Sequence, residues 1–564
     1  MIKGIGVSSG IGIGPVLILK KQEIKVPNTL VEDSKAEIKK FDDALSQVIN
    51  ETNDLYEKTL QEIGAEEAAI FEAHKSILED EFSLVNPIKE RIENDKMNAA
   101  LAVETQLNEI ISMFQNMDDD YMRERAADAK DIKTRLINRI LGVEETDLSK
   151  LDKKYIIVAE DLTPSNTAKM DAKNVSGIVT QIGGRTSHTA ILARILEIPA
   201  VVGASEITKA CSNEDTILLD GETGEIFINP DKELVEKYQI RMEEIAQEKK
   251  QLQEFFAKPS LTLDGHKVEL AANIGTPEDS ERALECDAEA IGLFRSEFLY
   301  MDRDGLPNEE EQFEAYKKVL VTMNPKPVII RTLDIGGDKD LPALNMPKEE
   351  NPFLGYRAIR LCLDRVDVFK VQLRALMRAS YYGKLRIMFP MISNINELRA
   401  AKGLIEEVKA ELKNEGLPYD ENVEVGIMIE IPATAVMADI FAKECDFFSI
   451  GTNDLIQYTV AVDRGNEKIA HLYSPFNPAV LRLIKMAIDA AHANGIFCGM
   501  CGEAAGEIGL TEILVGLGLD EFSMSASGIL KIRKRISEID YKKAQEKAKE
   551  ILTLASAEEV LEKI

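Results

Sequence analysis

From Leu261 onward the sequence repeats one unit: a short apolar run, polar or charged residues at its end, then a helix-forming segment. Eight apolar runs read as strands: Val268–Asn273, Ala290–Phe294, Pro327–Arg331, Leu385–Phe389, Val425–Glu430, Phe447–Ile450, Ile496–Met500 and Glu521–Met524. Eight strand–helix units over roughly 300 residues have the size and pattern of a (β/α)8 barrel, a fold whose sites sit at the C-terminal strand ends. The fourth strand is the least regular, because an unusually long segment precedes it.

Chemistry-bearing residues stand at those ends. The second strand runs into Arg295-Ser-Glu297, the third into Arg331-Thr-Leu-Asp334, and the fifth into Glu430. The sixth leads to Asn453-Asp454, with Arg464 shortly after, and the seventh to Cys501-Gly-Glu503. Guanidinium forks present paired donors to phosphoryl oxygens. Two carboxylates from neighbouring strands, Glu430 and Asp454, suit Mg²⁺ completed by substrate oxygens and water; paired with an arginine, they would serve structure alone. Together, arginines and metal would neutralise the charge of a transferring phosphoryl group. Cys498-Gly-Met-Cys501 has dithiol spacing, but no second pair completes a Cys₄ zinc site. One buried structural cysteine and one rim thiol, Cys501, able to give a proton to an enolate, is the better reading.

The N-terminal half follows a different pattern. Residues 1–20 alternate glycine with apolar residues and lack the spacing of a phosphate loop or dinucleotide fingerprint, so their role is structural. Helical periodicity then runs from Asp33 to about Leu141, as in Ile38, Phe41, Leu45 and Val48 and again in Leu101, Val103, Leu107 and Ile110, with breaks expected at Asn86-Pro87 and Asp118-Asp119-Asp120. This is a helical bundle inserted into an α/β domain whose strands resume at Tyr155–Ala159, Val175–Thr180, Ala200–Val202 and Ile217–Asp220. His74 lies on one of the bundle helices and reads as structural. Within the α/β domain, Gly183-Gly-Arg-Thr-Ser-His188 follows a strand and opens a helix running to about Glu197. Thr186 or Ser187 can cap that helix. Its N-terminus favours an anion and disfavours an imidazolium, so His188 is either a capping histidine or a neutral phosphoryl acceptor. Asp231–Phe256 reads as one long connecting helix with hinges at its ends.

With 68 basic against 98 acidic residues, the formal charge is −30, which argues against general binding to nucleic acid or anionic membrane. No apolar stretch of about 18 residues suggests a membrane span, and six scattered cysteines suit a reducing compartment, so a cytoplasmic location is expected.

Gly183–Arg194 resembles the phosphohistidine signature of phosphoenolpyruvate-utilising enzymes, and Asp446–Leu455 with Gln457-Tyr458 resembles that family's second signature. The similarity is strongest to the enzyme I family of the bacterial phosphoenolpyruvate:sugar phosphotransferase system, and covers essentially the whole chain. The resemblance implies four parts: a phosphohistidine α/β domain at 1–30 and 146–230, a helical domain at 31–145 that binds the phosphocarrier HPr, a linker helix at 231–260, and a barrel at 261–564. It implies that His188 carries the phosphoryl group on Nε2 and that Arg295, Arg331, Asn453 and Arg464 hold phosphoenolpyruvate. Glu430 and Asp454 would bind Mg²⁺, and Cys501 would protonate enolpyruvate. A homodimer through the barrels is also implied. Thr167 and Arg125 are candidates for orienting His188. Alternatives are a regulatory paralogue, or another phosphoenolpyruvate-utilising phosphotransferase such as pyruvate phosphate dikinase, which would need a nucleotide-binding domain not recognised here.

Overall fold

The computed structural model describes the chain apart from residues 20–24, 63–64, 116–119, 144–147, 185–186, 302, 304, 338–340, 345, 347–348, 465 and 467, and apart from the side chains of 62, 65–67, 120–124, 188, 249 and 342. The chain forms two compact units, Met1–Gln247 and Glu248–Ile564.

The first unit is built on a sheet of strands β1 (Ile2–Lys3), β2 (Ile5–Ser8), β3 (Ile11–Leu19), β4 (Tyr155–Ala159), β5 (Val175–Thr180), β6 (Ala200–Val202), β7 (Thr216–Asp220) and β8 (Glu225–Ile228), in the order β1-β8-β7-β3-β4-β5-β6-β2. The glycine-rich start is itself strand, and β3 is longer than the expected Val16–Leu19. The glycines are there for space: a Cβ at Gly12 would lie 2.4 Å from the Ser176 carbonyl. Strands β3 and β4 pair in parallel, Val16 opposite Ile156, although the whole helical insertion separates them in sequence.

That insertion contains helices Ser34–Glu62, Ala65–Leu78, Asn86–Asn94, Ala99–Gln115 and Asp120–Leu141. Their apolar stripes meet in one core of Phe41, Val48, Leu84, Ile88, Val103, Leu107, Ile132 and Leu136. Asn86-Pro87 opens a helix instead of ending one. Proline suits the first helical turn, where its missing N–H would have had no partner. Of the expected acidic break, Asp118 and Asp119 lie outside the described residues, and a helix starts at Asp120. His74 is fully buried, with Nε2 3.2 Å from Asp128 Oδ1.

Helix Lys232–Gln253 is shorter at both ends than expected. Towards its start, Tyr238 packs with Ile11 and Leu218, and Arg241 donates to Asp220 at 2.9 Å. Beyond its end, the buried Arg533 donates to the Phe255 carbonyl (3.1 Å) and to Ser260 Oγ (3.1 Å), and pairs with Asp287.

The second unit is a closed barrel of β9 (Glu269–Ile274), β10 (Ala290–Arg295), β11 (Val328–Arg331), β12 (Leu385–Phe389), β13 (Glu424–Ile429), β14 (Phe447–Ile450), β15 (Phe497–Met500) and β16 (Glu521–Met524). Every neighbouring pair is parallel, and β16 closes on β9 with Phe522 opposite Leu270. All eight expected strands form, with ends shifted by a residue or so; Glu430 stands just past β13 rather than within it. The long segment before β12 folds into short helical turns, then helices Ile359–Asp364 and Val366–Ala379. Alternate residues of each strand pack outward on the helices, as Phe448, Ile450, Cys498 and Met500 do. The others fill the interior, among them Leu293, Ile329, Met388, Met428, Phe447 and Cys501.

Candidate active site

The C-terminal rim of the barrel joins Arg331 and Asp454 in one charged network and sets other expected residues beside it. Arg331, at the end of β11, is 7% exposed and donates to Glu297 at 2.5 Å, with Asp334 2.8 Å away. Burial works against its charge, but Glu297 and Asp334 outweigh burial and raise its pKa above the usual value. Asp334 continues the network by accepting from Arg357 Nη2 at 2.9 Å. The same nitrogen donates to Asp454 Oδ2 at 3.3 Å, and Arg357 Nη1 donates to the Tyr458 hydroxyl at 3.2 Å. Glu297, Arg331, Asp334, Arg357 and Asp454 therefore alternate in charge along a continuous buried chain.

Glu430 is 2% exposed, and its Oε1 accepts the Met391 N–H at 2.6 Å. Burial, reinforced by Asp454 and Asp334, pushes its pKa well above the carboxylate range despite the nearby arginines. Asp454 Oδ1 is buried without a hydrogen-bond partner. Gly451 keeps the space beside Glu430 open, since a Cβ there would come within 3.0 Å of Glu430 Oε2. A buried carboxylate oxygen without a donor, next to a second carboxylate held above its normal pKa, is the setting a hard divalent cation relieves. The residues fit a hard divalent cation on that ground. Among the described residues no group of three His, Cys, Asp or Glu is arranged to hold a metal by itself.

Arg464 approaches Asp454 at 3.9 Å, and its guanidinium lies 5.7 Å from the Phe353 ring centre, as does that of Arg357. The Asn453 side chain pairs with Glu503, donating at 3.2 Å and accepting the Glu503 N–H at 3.1 Å. Arg295 is exposed at the end of β10. Cys501 is 5% exposed and follows directly on β15, with its N–H bonded to the Ile450 carbonyl at 3.0 Å. Burial pushes its thiol pKa up to about 11, against the lowering influence of the Ser449 hydroxyl and Arg331. Cys498 points into the outer core instead, and His492 bonds Asp520 at 2.8 Å rather than a cysteine. The Cys498/Cys501 pair is thus split between two faces of one strand.

Arg357 and Phe353 carry no signal in the sequence. They lie in the long loop after β11, where no periodicity marks them.

In the first unit, Ser187 caps helix His188–Ile195: its Oγ accepts the Ala190 N–H at 3.4 Å and donates to the Gly184 carbonyl at 2.9 Å. Gly183 has φ +117°, a conformation open to glycine. His188 is thus the first residue of the helix; its side chain, Arg185 and Thr186 lie outside the described residues. The helix ends at Ile195, two residues short of Glu197. The Thr167 hydroxyl donates to the Pro164 carbonyl at 2.9 Å, and Arg125 lies 3.2 Å from Asp128.

Three models of phosphoenolpyruvate-utilising enzymes match the chain: the N-terminal domain over residues 3–125, the mobile domain over 151–224 and the PEP-binding domain over 249–541. The phosphoenolpyruvate-protein phosphotransferase of Staphylococcus carnosus is 52% identical, with the match covering 100% of this chain and 98% of the relative. That of Bacillus subtilis is 50% identical over 99% and 98%. An NMR solution structure of Enzyme I (nEIt) is 38% identical and matches 44% of this chain and all of that one, with a TM-score of 0.40. The chain belongs to the enzyme I family of phosphoenolpyruvate-utilising enzymes.

Proposed function

We propose that this protein is a phosphoenolpyruvate-protein phosphotransferase that takes the phosphoryl group of phosphoenolpyruvate onto His188, passes it to the phosphocarrier HPr and releases pyruvate. The observation that carries this reading is the meeting of Arg331, Asp454, Glu430 and Cys501 on one rim, where a phosphate clamp, a cation pair and a buried thiol adjoin. Arg331 and Arg464 hold the phosphoryl and carboxylate oxygens, with Arg295 and Asn453 beside them. Mg²⁺ bound by Glu430 and Asp454 supplies further charge neutralisation. Cys501 keeps its proton at neutral pH because it is buried, so it arrives as an acid and can protonate the methylene carbon of enolpyruvate.

His188 sits at a helix N-terminus, which disfavours imidazolium before attack and favours the phosphoryl dianion afterwards. Histidine and rim belong to separate units, so the α/β domain (1–30 and 146–230) must deliver His188 to the barrel (261–564) and then to HPr on the helical domain (31–145), with residues 231–260 as the connection. A homodimer through the barrels and a cytoplasmic location complete this reading. Among the described residues no helix is long and apolar enough to cross a membrane.

The test is incubation with labelled phosphoenolpyruvate and Mg²⁺. Label that is acid-labile, alkali-stable, transferable to HPr and lost in His188→Ala is expected. Label that survives His188→Ala would overturn the assignment.

A further inference from the structure

The interior of the barrel directly beneath Cys501 is polar on one side. Strands β14, β15, β16 and β9 bring Ser449, Gly499, Glu521 and Glu269 side by side: Ser449 pairs in register with Gly499, Gly499 with Glu521, and Glu521 with Glu269. All four face inward, since the alternate residues Phe448, Cys498, Phe522 and Leu270 belong to the outer core. Glycine at 499 leaves a gap between the serine and the glutamate. A Cβ there would lie 2.8 Å from Glu521 Oε1, and one at Gly292 would lie 2.7 Å from the same oxygen. Glu521 therefore occupies space that two glycines vacate.

The two carboxylates lack the partners that buried polar atoms normally have. Glu521 is 2% exposed and Ser449 fully buried; both Glu521 oxygens have no hydrogen-bond partner, and the Ser449 hydroxyl faces the Cys501 thiol, whose pKa it lowers. Glu269 Oε1 is likewise unpartnered. The charged neighbours of Glu521 are Glu269, Arg386 and Asp520; those of Glu269 are Arg386, Glu289, Lys267 and Lys384 at the strand-start end of the barrel. Burial, then the facing Glu269, pushes the Glu521 pKa well above the carboxylate range, which favours its protonated form. Cys501 follows Gly499 by two residues on the same face, one step nearer the rim. Its titration is shaped by burial, then by Ser449, Arg331, Glu430 and Glu521.

This arrangement addresses a requirement of the proposed reaction, on which the inference rests. Once Cys501 has given its proton to enolpyruvate, a buried thiolate remains, and the next turnover waits for a proton. Of the groups around it, Arg331 does not release one, and Glu430 belongs to the cation pair. We propose that Glu521, acting through the Ser449 hydroxyl, returns a proton to Cys501 from inside the barrel, and that Glu269 reloads Glu521 from the opposite end. The Ser449 O–H breaks as the Cys501 S–H forms, and the Glu521 O–H breaks as the Ser449 O–H re-forms across one water over Gly499, the water giving up one proton as it takes one. The thiol and hydroxyl are restored and Glu521 is left as a carboxylate; Glu269 then gives it a proton and takes one from solvent. One proton moves at each step and no electrons change hands. Glu521 and Ser449 touch no substrate: they act on Cys501.

The test separates the first turnover from later ones. Full-length protein is mixed with labelled phosphoenolpyruvate and Mg²⁺ in a rapid-quench instrument, with HPr in excess so that His188 is recycled. For Glu521→Gln and Ser449→Ala, the first equivalent of pyruvate should form within twofold of the unsubstituted rate, because Cys501 starts protonated. Later turnovers should slow at least tenfold, with a larger solvent deuterium effect on the steady state than on the burst. If Glu521→Gln does not fold, Ser449→Ala carries the same comparison. Steady-state rates within twofold of normal in the folded variants would overturn the relay while leaving Cys501 as the acid. So would a first turnover slowed as much as the later ones, since that marks a merely structural role. Cys501→Ala cycling at the normal rate would overturn the acid assignment itself and the relay with it.

Discussion

Replacing Arg357 with alanine tests whether the rim network is a working electrostatic unit. Arg357 is 4% exposed and donates to Asp334, Asp454 and the Tyr458 hydroxyl. Its removal leaves Asp454 with Arg464, at 3.9 Å, as the nearest cation in the network. Removing one partner of a buried ion pair typically costs about 3–5 kcal/mol, because the stranded charge stays desolvated. For a barrel unit of this size, at the low end of about 2–4 °C per kcal/mol, that is a fall of roughly 6–10 °C in the barrel's melting transition. Scanning calorimetry with and without Mg²⁺ measures it. Mg²⁺ bound at Glu430 and Asp454 would take over part of the lost neutralisation, so the deficit should shrink in its presence. Arg357→Lys, which keeps a charge but loses the fork, should fall between the two. A shift under about 2 °C in Arg357→Ala, or a deficit that Mg²⁺ leaves untouched, would refute this account of the network.

Two further outcomes follow from individual atoms. With the Cys501 thiol raised to about 11, its alkylation rate, followed by peptide mass spectrometry, should climb about tenfold per pH unit through pH 9. The thiol form is the one favoured below that pKa and lost as pH rises through it, so a plateau at the ordinary thiol value of 9.0 would contradict the burial argument. In Gly502→Ala the new Cβ would fall 1.9 Å from Thr452 Oγ1 and 2.6 Å from its backbone nitrogen, at the start of the helix that carries Asn453 and Asp454. Overpacking of this kind typically costs about 1–3 kcal/mol, and kcat/KM for phosphoenolpyruvate should fall more than tenfold; an unchanged value would show that the rim tolerates the shift.

The barrel was readable from sequence because its strands are near-continuous apolar runs, as parallel strands covered on both faces must be. Residues at their ends inherit a location from that pattern, which is why the sequence alone sets Arg331, Asp454 and Cys501 on one rim. Arg357 could not, because a loop residue reaches the rim through the path of its chain rather than through a period. The same holds for Glu521. Its strand was expected, but an inward carboxylate between two glycines becomes visible only when register sets Gly499 beside it and the closed barrel brings Gly292 near. In the first unit, the glycine alternation of residues 1–20 hid strands behind a composition that favours turns. The close approach of Gly12 to Ser176 explains why glycine is needed there.

The parallel pairing of β3 with β4 also bears on how the chain folds. Parallel neighbours need a crossover of a dozen or more residues, and here the whole helical bundle serves as one. Closing so long an unstructured loop would cost roughly 2 kcal/mol more than closing a minimal crossover. If the bundle collapses first around its own core of Phe41, Leu84 and Val103, the ends of the loop are brought close before the strands meet. During synthesis β3 emerges early, and its β4 edge then stays open until Tyr155 has been added. The bundle is in that sense the timer for the sheet, and mutations that weaken its core should slow pairing of a strand they never touch.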